Sequence, residues 1–328
     1  VDHHPQRVAG ARVTPSPPTY IAISGHSKDV TIYAPDRAGL RPFKQDKVPP
    51  GKRSCPFCPG SAELPEPFDV VLLENKFPSL STDTDWSTPK ENSLLPGYGK
   101  QDVFLYSSDH HRRLHDIPVT SVAALLTLLG ERVAGYYRDE RIQHAFAFEV
   151  SGGVFGPTVE HPHGQVFGLP LIPPGVRLAP DGPCLTCEEI GQAADEGRLV
   201  AQDEQVSVYV PLTARAPLEL WVVPKAHAPD LWMMPDHQVK AIAEALTRTM
   251  RAFASFGWPD FSYMIAYRHA PRSQLSGWHF RIEVCPAHRL NGAHKHFGAM
   301  EIALGVFLMP TDPRSAATLL RNRWDDIA

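Results

Sequence analysis

The feature that most constrains this chain is a plan stated twice. A CxxC pair, Cys55 and Cys58 in CPFC, is followed by the histidines of SSDHHRRLH and then by HPHGQ. A second pair, Cys184 and Cys187 in CLTC, is followed by PKAH and then by GWHF. From Cys58 to His110 is 52 residues and from His110 to His161 is 51, while Cys187 to His227 is 40 and His227 to His279 is 52. Self-similarity of this kind predicts two copies of one structural unit. Each copy offers two thiols and two imidazoles, the donor set that closes a tetrahedral structural zinc site. Such a site ties a loop to a sheet and adds folding free energy, because the unfolded chain holds no preformed cage. The candidate ligands are Cys55, Cys58, His110 and His161 in the first half and Cys184, Cys187, His227 and His279 in the second. Spacing leaves open which histidine ligates, and His111 competes with His110.

A chain of 328 residues exceeds the usual size of one hydrophobic core, so two units also fit its length. The proline- and glycine-rich PLIPPGVRLAPDGP is the natural joint between them. The expected organisation is a flexible lead-in over 1–20, a catalytic half over 21–172 and a second half over 173–328. With 43% hydrophobic and 21% charged residues, and no apolar run near the ~18 needed to cross a bilayer, a membrane span is not expected. The first residues lack the apolar stretch of a secretory signal, so a cytoplasmic location is expected. There, five cysteines read as metal ligands or buried thiols rather than disulfides, with the fifth, Cys285, as a buried strand residue. A net charge of −4 gives no basic surface for a nucleic-acid polymer, while leaving small nucleotides open.

PVTSVAALLTLLGERVAGYYRD and PDHQVKAIAEALTRTMRAFASF carry helical apolar spacing, and HAFAFEV and LELWVVP read as buried strands. The segment VEHPHGQVFG raises the chemical question. In an extended stretch, residues two apart share a face, so His161, His163 and Gln165 point the same way. A closed zinc site needs no further ligand, which releases His163 for another task. At the corresponding position the second half has Arg281, so one active half faces one degenerate partner. A neutral imidazole is a good nucleophile toward phosphorus, and its phosphoramidate is labile enough to pass the group on. Gln165 is placed to donate its amide to a phosphoryl oxygen. The preceding SGGVFGPT, with Gly156 and Thr158 as candidate substrate contacts, lets backbone N–H groups approach an anion.

The run FEVSGGVFGPTVEHPHGQV resembles the active-site segment of galactose-1-phosphate uridylyltransferases, a branch of the histidine-triad superfamily. CPFC, LLENKFPSL, SSDH, PLELWVVPKAH, GWHFRIEV and KHFGAMEIALGVFLMPTDP continue the likeness in order over roughly residues 50 to 320. The resemblance implies an α+β fold of two histidine-triad-like halves, each an antiparallel sheet with flanking helices. It implies that His163 takes a nucleoside monophosphate, most readily UMP, from a nucleotide sugar and passes it to a hexose 1-phosphate. Gln165 would contact the transferred group, and Phe57, Asn75 and Phe77 would surround the nucleoside. Lys295 and Glu301 would hold the sugar phosphate and hexose, with the lysine coming from a neighbouring subunit of a homodimer. Zinc would sit on Cys55, Cys58, His110 and His161.

Two positions depart from the pattern. Val150 stands where the family commonly has an asparagine, and His279-Phe280-Arg281 replaces a His-x-His. CLTC, PKAH and GWHF instead resemble the second zinc site of the plant ADP-glucose phosphorylase branch. An ADP-sugar phosphorylase or adenylyltransferase is therefore the alternative reading. A catalytically silent, zinc-stapled interaction module is the alternative from a different class.

Overall fold

The computed structural model describes residues 19–25, 28–35, 55–86, 94–157, 159–176, 182–259 and 261–327. The lead-in up to residue 18, Thr158 and the stretch 177–181 of the expected joint lie outside the described residues.

Alternating apolar residues build the strands. In the first half these are β1 (Tyr20–Ile23), β2 (Val30–Tyr33), β3 (Val71–Glu74), β4 (Leu94–Pro96), β5 (Lys100–Leu105), β6 (His144–Ser151) and β7 (Gly164–Leu169). Helix α1 (Val119–Tyr136) connects β5 to β6, and α2 (Leu185–Asp195) opens the second half. There follow β8 (Leu199–Gln202), β9 (Val206–Tyr209), β10 (Leu220–Pro224), α3 (Asp236–Ala254), β11 (Tyr263–Arg268), β12 (Arg281–Pro286), α4 (Ala299–Leu304) and α5 (Pro313–Asp326).

Strands β2, β1 and β4 form a small antiparallel sheet. The other nine form one sheet in the order β3-β5-β7-β6-β11-β12-β10-β9-β8. Read outward from its middle, β6-β7-β5-β3 is matched by β11-β12-β10-β9, so the repeat seen in the sequence becomes a pseudo-two-fold. The halves are antiparallel sheets with helices, as expected, but they do not stay separate. β6 and β11 pair from Tyr263 opposite Ser151 to Tyr267 opposite Ala147, which fuses the two sheets into one.

One face of this sheet is dry. Val122, Leu125, Leu126, Leu129 and Val133 recur along α1 at the spacing of a single helical stripe. With Val239, Ile242, Leu246 and Met250 of α3 they join Ala147, Val166, Ile265, Ile282 and Val284 in one core spanning both halves. Within that core Glu149 is 1% exposed, and the hydroxyls of Tyr106 and Tyr263 both donate to its Oε1 at 2.7 Å. Burial pushes its carboxyl up to about 7 against the opposing pull of these hydroxyls and Arg113. The opposite face is covered only in part. Residues around Phe57 and Leu64 pack on Val103 and Leu105, and α2 lays Ile190 and Ala193 against Tyr209 and Val223.

Candidate active site

The two CxxC segments each meet their histidines at the end of a strand. Cys55, Cys58, His110 and His161 place one ligand atom each within 4.8 Å of one another, and Cys184, Cys187, His227 and His279 do the same. Sulfur at ~2.3 Å and nitrogen at ~2.0–2.1 Å from a tetrahedral zinc would stand about 3.6 Å apart. The observed S···N distances are 3.7, 3.4 and 3.6 Å in the first cluster. In the second they are 3.6, 3.7 and 3.3 Å. His161 Nε2 donates to the Ser107 carbonyl and His279 Nε2 to the Pro224 carbonyl, both at 2.8 Å, which directs Nδ1 of each ring into its cluster. Burial, with Cys55 beside it, pushes the Cys58 thiol up to about 11, and Cys187 beside Cys184 behaves alike. A cation is what would let such paired thiols ionise. Both clusters therefore fit a metal. His110, not His111, is in the first.

His163 lies just before β7. Its Nδ1 is 2.9 Å from the carbonyl oxygen of His161. A carbonyl can only accept, so Nδ1 carries the proton and Nε2 the lone pair. Gly164 is next in the chain because nothing larger fits. A Cβ there would stand 2.0 Å from Cζ of Phe104 and 2.5 Å from the carbonyl oxygen of Phe148.

Beside His163 a cavity of about 110 Å³ is lined by Phe57, Asn75, Phe77, Val103, His163 and Gln165 among others. Five of the residues expected at the site thus meet in one place. The Phe57 ring centre is 5.2 Å from that of His163, and Asn75 Oδ1 accepts from the Phe77 amide at 2.9 Å. Gly156 adopts the left-handed conformation, with φ of 56°, in the loop leading to His161. Lys295 and Glu301 lie elsewhere, paired at 2.6 Å beside a second cavity. His269 is fully buried and paired with Asp230 at 2.9 Å.

Sequence reasoning missed Gln101. Its Oε1 accepts from the Ser79 amide at 2.7 Å, and its Nε2 donates to Gln165 Oε1, also at 2.7 Å. The chain of bonds orients both amides and turns the Gln165 NH₂ away from its own partner. The one available signal was a glutamine inside the strand KQDVFL, where it is buried.

The second half shows what the same scaffold becomes where Arg281 stands in the place of His163. Val103 stands opposite Gln165 in β5–β7, and Trp221 stands opposite Glu283 in β10–β12. Gln165 thus corresponds to Glu283, and Gln101 to Glu219. Arg281, in the place of His163, lies over the Trp221 ring at 4.5 Å and pairs with Glu283 at 2.9 Å. Arg268 and Arg215 pair with Glu283 as well. Burial would raise the Glu283 carboxyl, but Arg281, Arg268 and Arg215 outweigh it and hold it down to about 2. Ion pairs and an indole occupy the place that the first half leaves as a cavity.

Comparison with known proteins agrees with this picture. The model of the family described as "Galactose-1-phosphate uridyl transferase, N-terminal domain" matches residues 29–173. A galactose-1-phosphate uridylyltransferase of Thermotoga maritima is 28% identical over 84% of this chain and 91% of its own length. An ADP-glucose phosphorylase of Arabidopsis thaliana is 26% identical over 89% of each chain. A solved uridylyltransferase structure superposes with a TM-score of 0.83 at 24% identity, covering 94% of this chain and 99% of that one. The structure of an Arabidopsis thaliana ADP-glucose phosphorylase gives 0.69 at 23% identity, covering 89% and 94%. The resemblance carried by the motifs is therefore real along nearly the whole chain, and the fold is shared.

Proposed function

We propose that the chain is a hexose-1-phosphate nucleotidyltransferase working through a covalent nucleotidyl-His163. The observation that carries this is the tautomer of His163, whose lone pair is held on Nε2 at the edge of a cavity suited to a nucleoside. Nε2 attacks the phosphorus bonded to the nucleoside, and the P–O bond to the sugar phosphate breaks, its electron pair leaving with that phosphate. The sugar phosphate departs, a second phosphate attacks the same phosphorus, and the N–P pair returns to the ring. Gln165, oriented through Gln101, donates its amide to the nonbridging oxygen where charge builds. Phe57 and Phe77 offer apolar surfaces to the base, and Asn75 a polar group.

Zinc is the metal whose preferred donors and edge lengths match both clusters, with Cys55, Cys58, His110 and His161 holding one ion and Cys184, Cys187, His227 and His279 the other. A closed tetrahedral zinc there would tie the CxxC loops to the sheet and position the backbone next to His163. UMP is the expected cargo, because several galactose-1-phosphate uridylyltransferases match the chain. The second Cys/His cluster and the match to an ADP-glucose phosphorylase over 89% of each chain favour AMP as the second reading. A silent scaffold is disfavoured, since it needs neither a directed imidazole nor an oriented Gln165. Assembly as a homodimer, with Lys295 and Glu301 serving the sugar phosphate, is supported by the exposed apolar run Phe297, Met300, Ile302, Leu304, Val306 and Leu308.

Intact-protein mass spectrometry after incubation with UDP-glucose, UDP-galactose or ADP-glucose, without acceptor and quenched at alkaline pH, tests the reading. A gain of one nucleoside monophosphate, lost in His163→Gly, is expected and names the base. An equal adduct in His163→Gly would remove the mechanism.

A further inference from the structure

The connection from β6 to β7 carries both His161 and His163. Toward β7 it is fixed at the first Cys/His cluster, to which His161 belongs. Val159, two residues earlier, lines the cavity beside His163. Next to β6 the connection forms a turn over residues 153–155, and that turn rests on the second half of the chain. Tyr263 of β11 pairs with Ser151 of β6, so Ser262 stands one step on, facing Gly152. The approach leaves no room for a side chain. Gly152 has a φ of 81°, and a Cβ on it would stand 2.1 Å from Oγ, 2.5 Å from Cα and 2.7 Å from Cβ of Ser262. Two residues on, the amide of Val154 donates to Ser262 Oγ at 3.3 Å.

Ser262 is itself held by the segment that follows β12. It is fully buried, its amide donates to His288 Nε2 at 3.0 Å, and its carbonyl accepts from the Ala287 amide at 2.8 Å. His288 Nδ1 lies 3.2 Å from the Gly292 carbonyl, which can only accept. The proton therefore sits on Nδ1, and Nε2 is left to receive the Ser262 amide. The imidazole is stacked on Trp258, with ring centres 4.3 Å apart and planes at 11°. On the other side of the turn, Arg113 donates from Nη1 to Ser151 Oγ at 2.5 Å. The root of the turn is thus clamped between the segment that carries His110 and a buried hydroxyl of the second half. Packing alone would be met by an alanine at 262. The hydroxyl is what matches the Val154 amide, a donor that is costly to leave unpaired.

We infer that Ser262 is a positioning residue for nucleotidyl transfer: through its hydroxyl the second half fixes the glycine-rich turn that backs the phosphoryl group at His163. The inference rests on the nucleotidyltransferase reading. A turn presents its peptide dipoles to an anion only while its conformation is kept. Donors already in place stabilise the charge that builds as Nε2 attacks, whereas a displacement of ~1 Å costs about 10²-fold in rate. The second half, with Arg281 in the place of His163, thereby serves the reaction without touching the substrate. A residue that merely held the fold together would affect every ligand of the site alike. Ser262 acts instead on the share of the affinity that comes from the phosphate.

Titration calorimetry of the intact protein with uridine and UMP, and in parallel with adenosine and AMP, gives for each base the factor by which the 5′-phosphate tightens binding. In Ser262→Ala that factor is expected to fall about three- to tenfold, while the affinity for the nucleoside alone stays within about twofold. Tm should drop by no more than about 3 °C. Ser262→Cys puts a weaker acceptor in the same position, so its factor should fall between the two, and it serves if Ser262→Ala does not fold. A factor equal to that of the unaltered protein, or a loss shared equally by nucleoside and nucleotide, overturns the role of Ser262 alone. So does an unaltered protein that gains the nucleotidyl adduct from a nucleotide sugar yet shows no phosphate factor. No phosphate factor for either base together with no adduct overturns the transferase reading and the role of Ser262 with it.

Discussion

Gly164→Ala adds one methyl group directly after His163, and the surrounding distances determine its effect. The new Cβ would stand 2.0 and 2.5 Å from the Phe104 ring and 2.5 Å from the Phe148 carbonyl oxygen. The ring could swing, but the carbonyl belongs to the paired strand β6 and cannot move without breaking the register that sets Gly164 opposite Glu149. Overpacking of this kind costs ~1–3 kcal/mol, and a clash with backbone belongs at the upper end. For a chain of this length that lowers Tm by on the order of 5 °C. The shift also displaces His163, and a displacement of ~1 Å costs about 10²-fold in rate. Gly135→Ala in α1 is the matched control, because nothing lies within 4 Å of its Cβ and helix propensity should raise stability by up to ~1 kcal/mol. Thermal unfolding and the single-turnover rate of adduct formation read both effects. A Gly164→Ala protein with unchanged Tm and rate would refute the claim that this glycine is required by close approach.

Cys58→Ser and Cys187→Ser should each lower zinc from two to one per chain by elemental analysis, and a double variant that retains zinc would remove both metal assignments. Gln101→Leu releases the Gln165 amide to rotate, so kcat should fall about 10- to 100-fold with little change in KM, less than the ~10²–10³ of losing such a donor outright. Glu149 holds its proton more tightly folded than unfolded, its pKa rising from 4.5 to about 7. Its contribution is therefore full below pH 4.5 and is lost as pH rises to about 7, a change of about 3 kcal/mol. In Glu149→Gln, chemical denaturation across that window should show a correspondingly flatter dependence on pH.

Much of this was legible in the sequence because candidate metal ligands and a candidate nucleophile leave spacing behind. The CxxC pairs, His110, His161, His227 and His279 converge into the two clusters that their repeated spacing predicts. His163 and Gln165 share a face because strand geometry alternates. Helices α1 and α3 were readable from their apolar stripes. What was not readable depends on partners distant in the chain. The pairing of β6 with β11 is chosen between two strands that each look like an ordinary buried strand. Gln101 acquires its role only when β5 lies beside β7. Glu283 looks like a surface charge until three arginines surround it, and Glu219 until Arg215 pairs with it.

The join between β6 and β11 also determines how the protein can be divided. Each of these strands would be the rim of its own half, with a row of N–H and C=O groups facing outward. In the intact chain the two rims seal one another, so neither is left as an exposed edge. A half cut free would carry an unprotected edge long enough to recruit any strand that matched it, including the same strand of another copy. The second half thus acts as a permanent cover for the strand that carries Glu149 and Val150. Having Arg281 where the first half has His163 costs the molecule nothing that this cover provides.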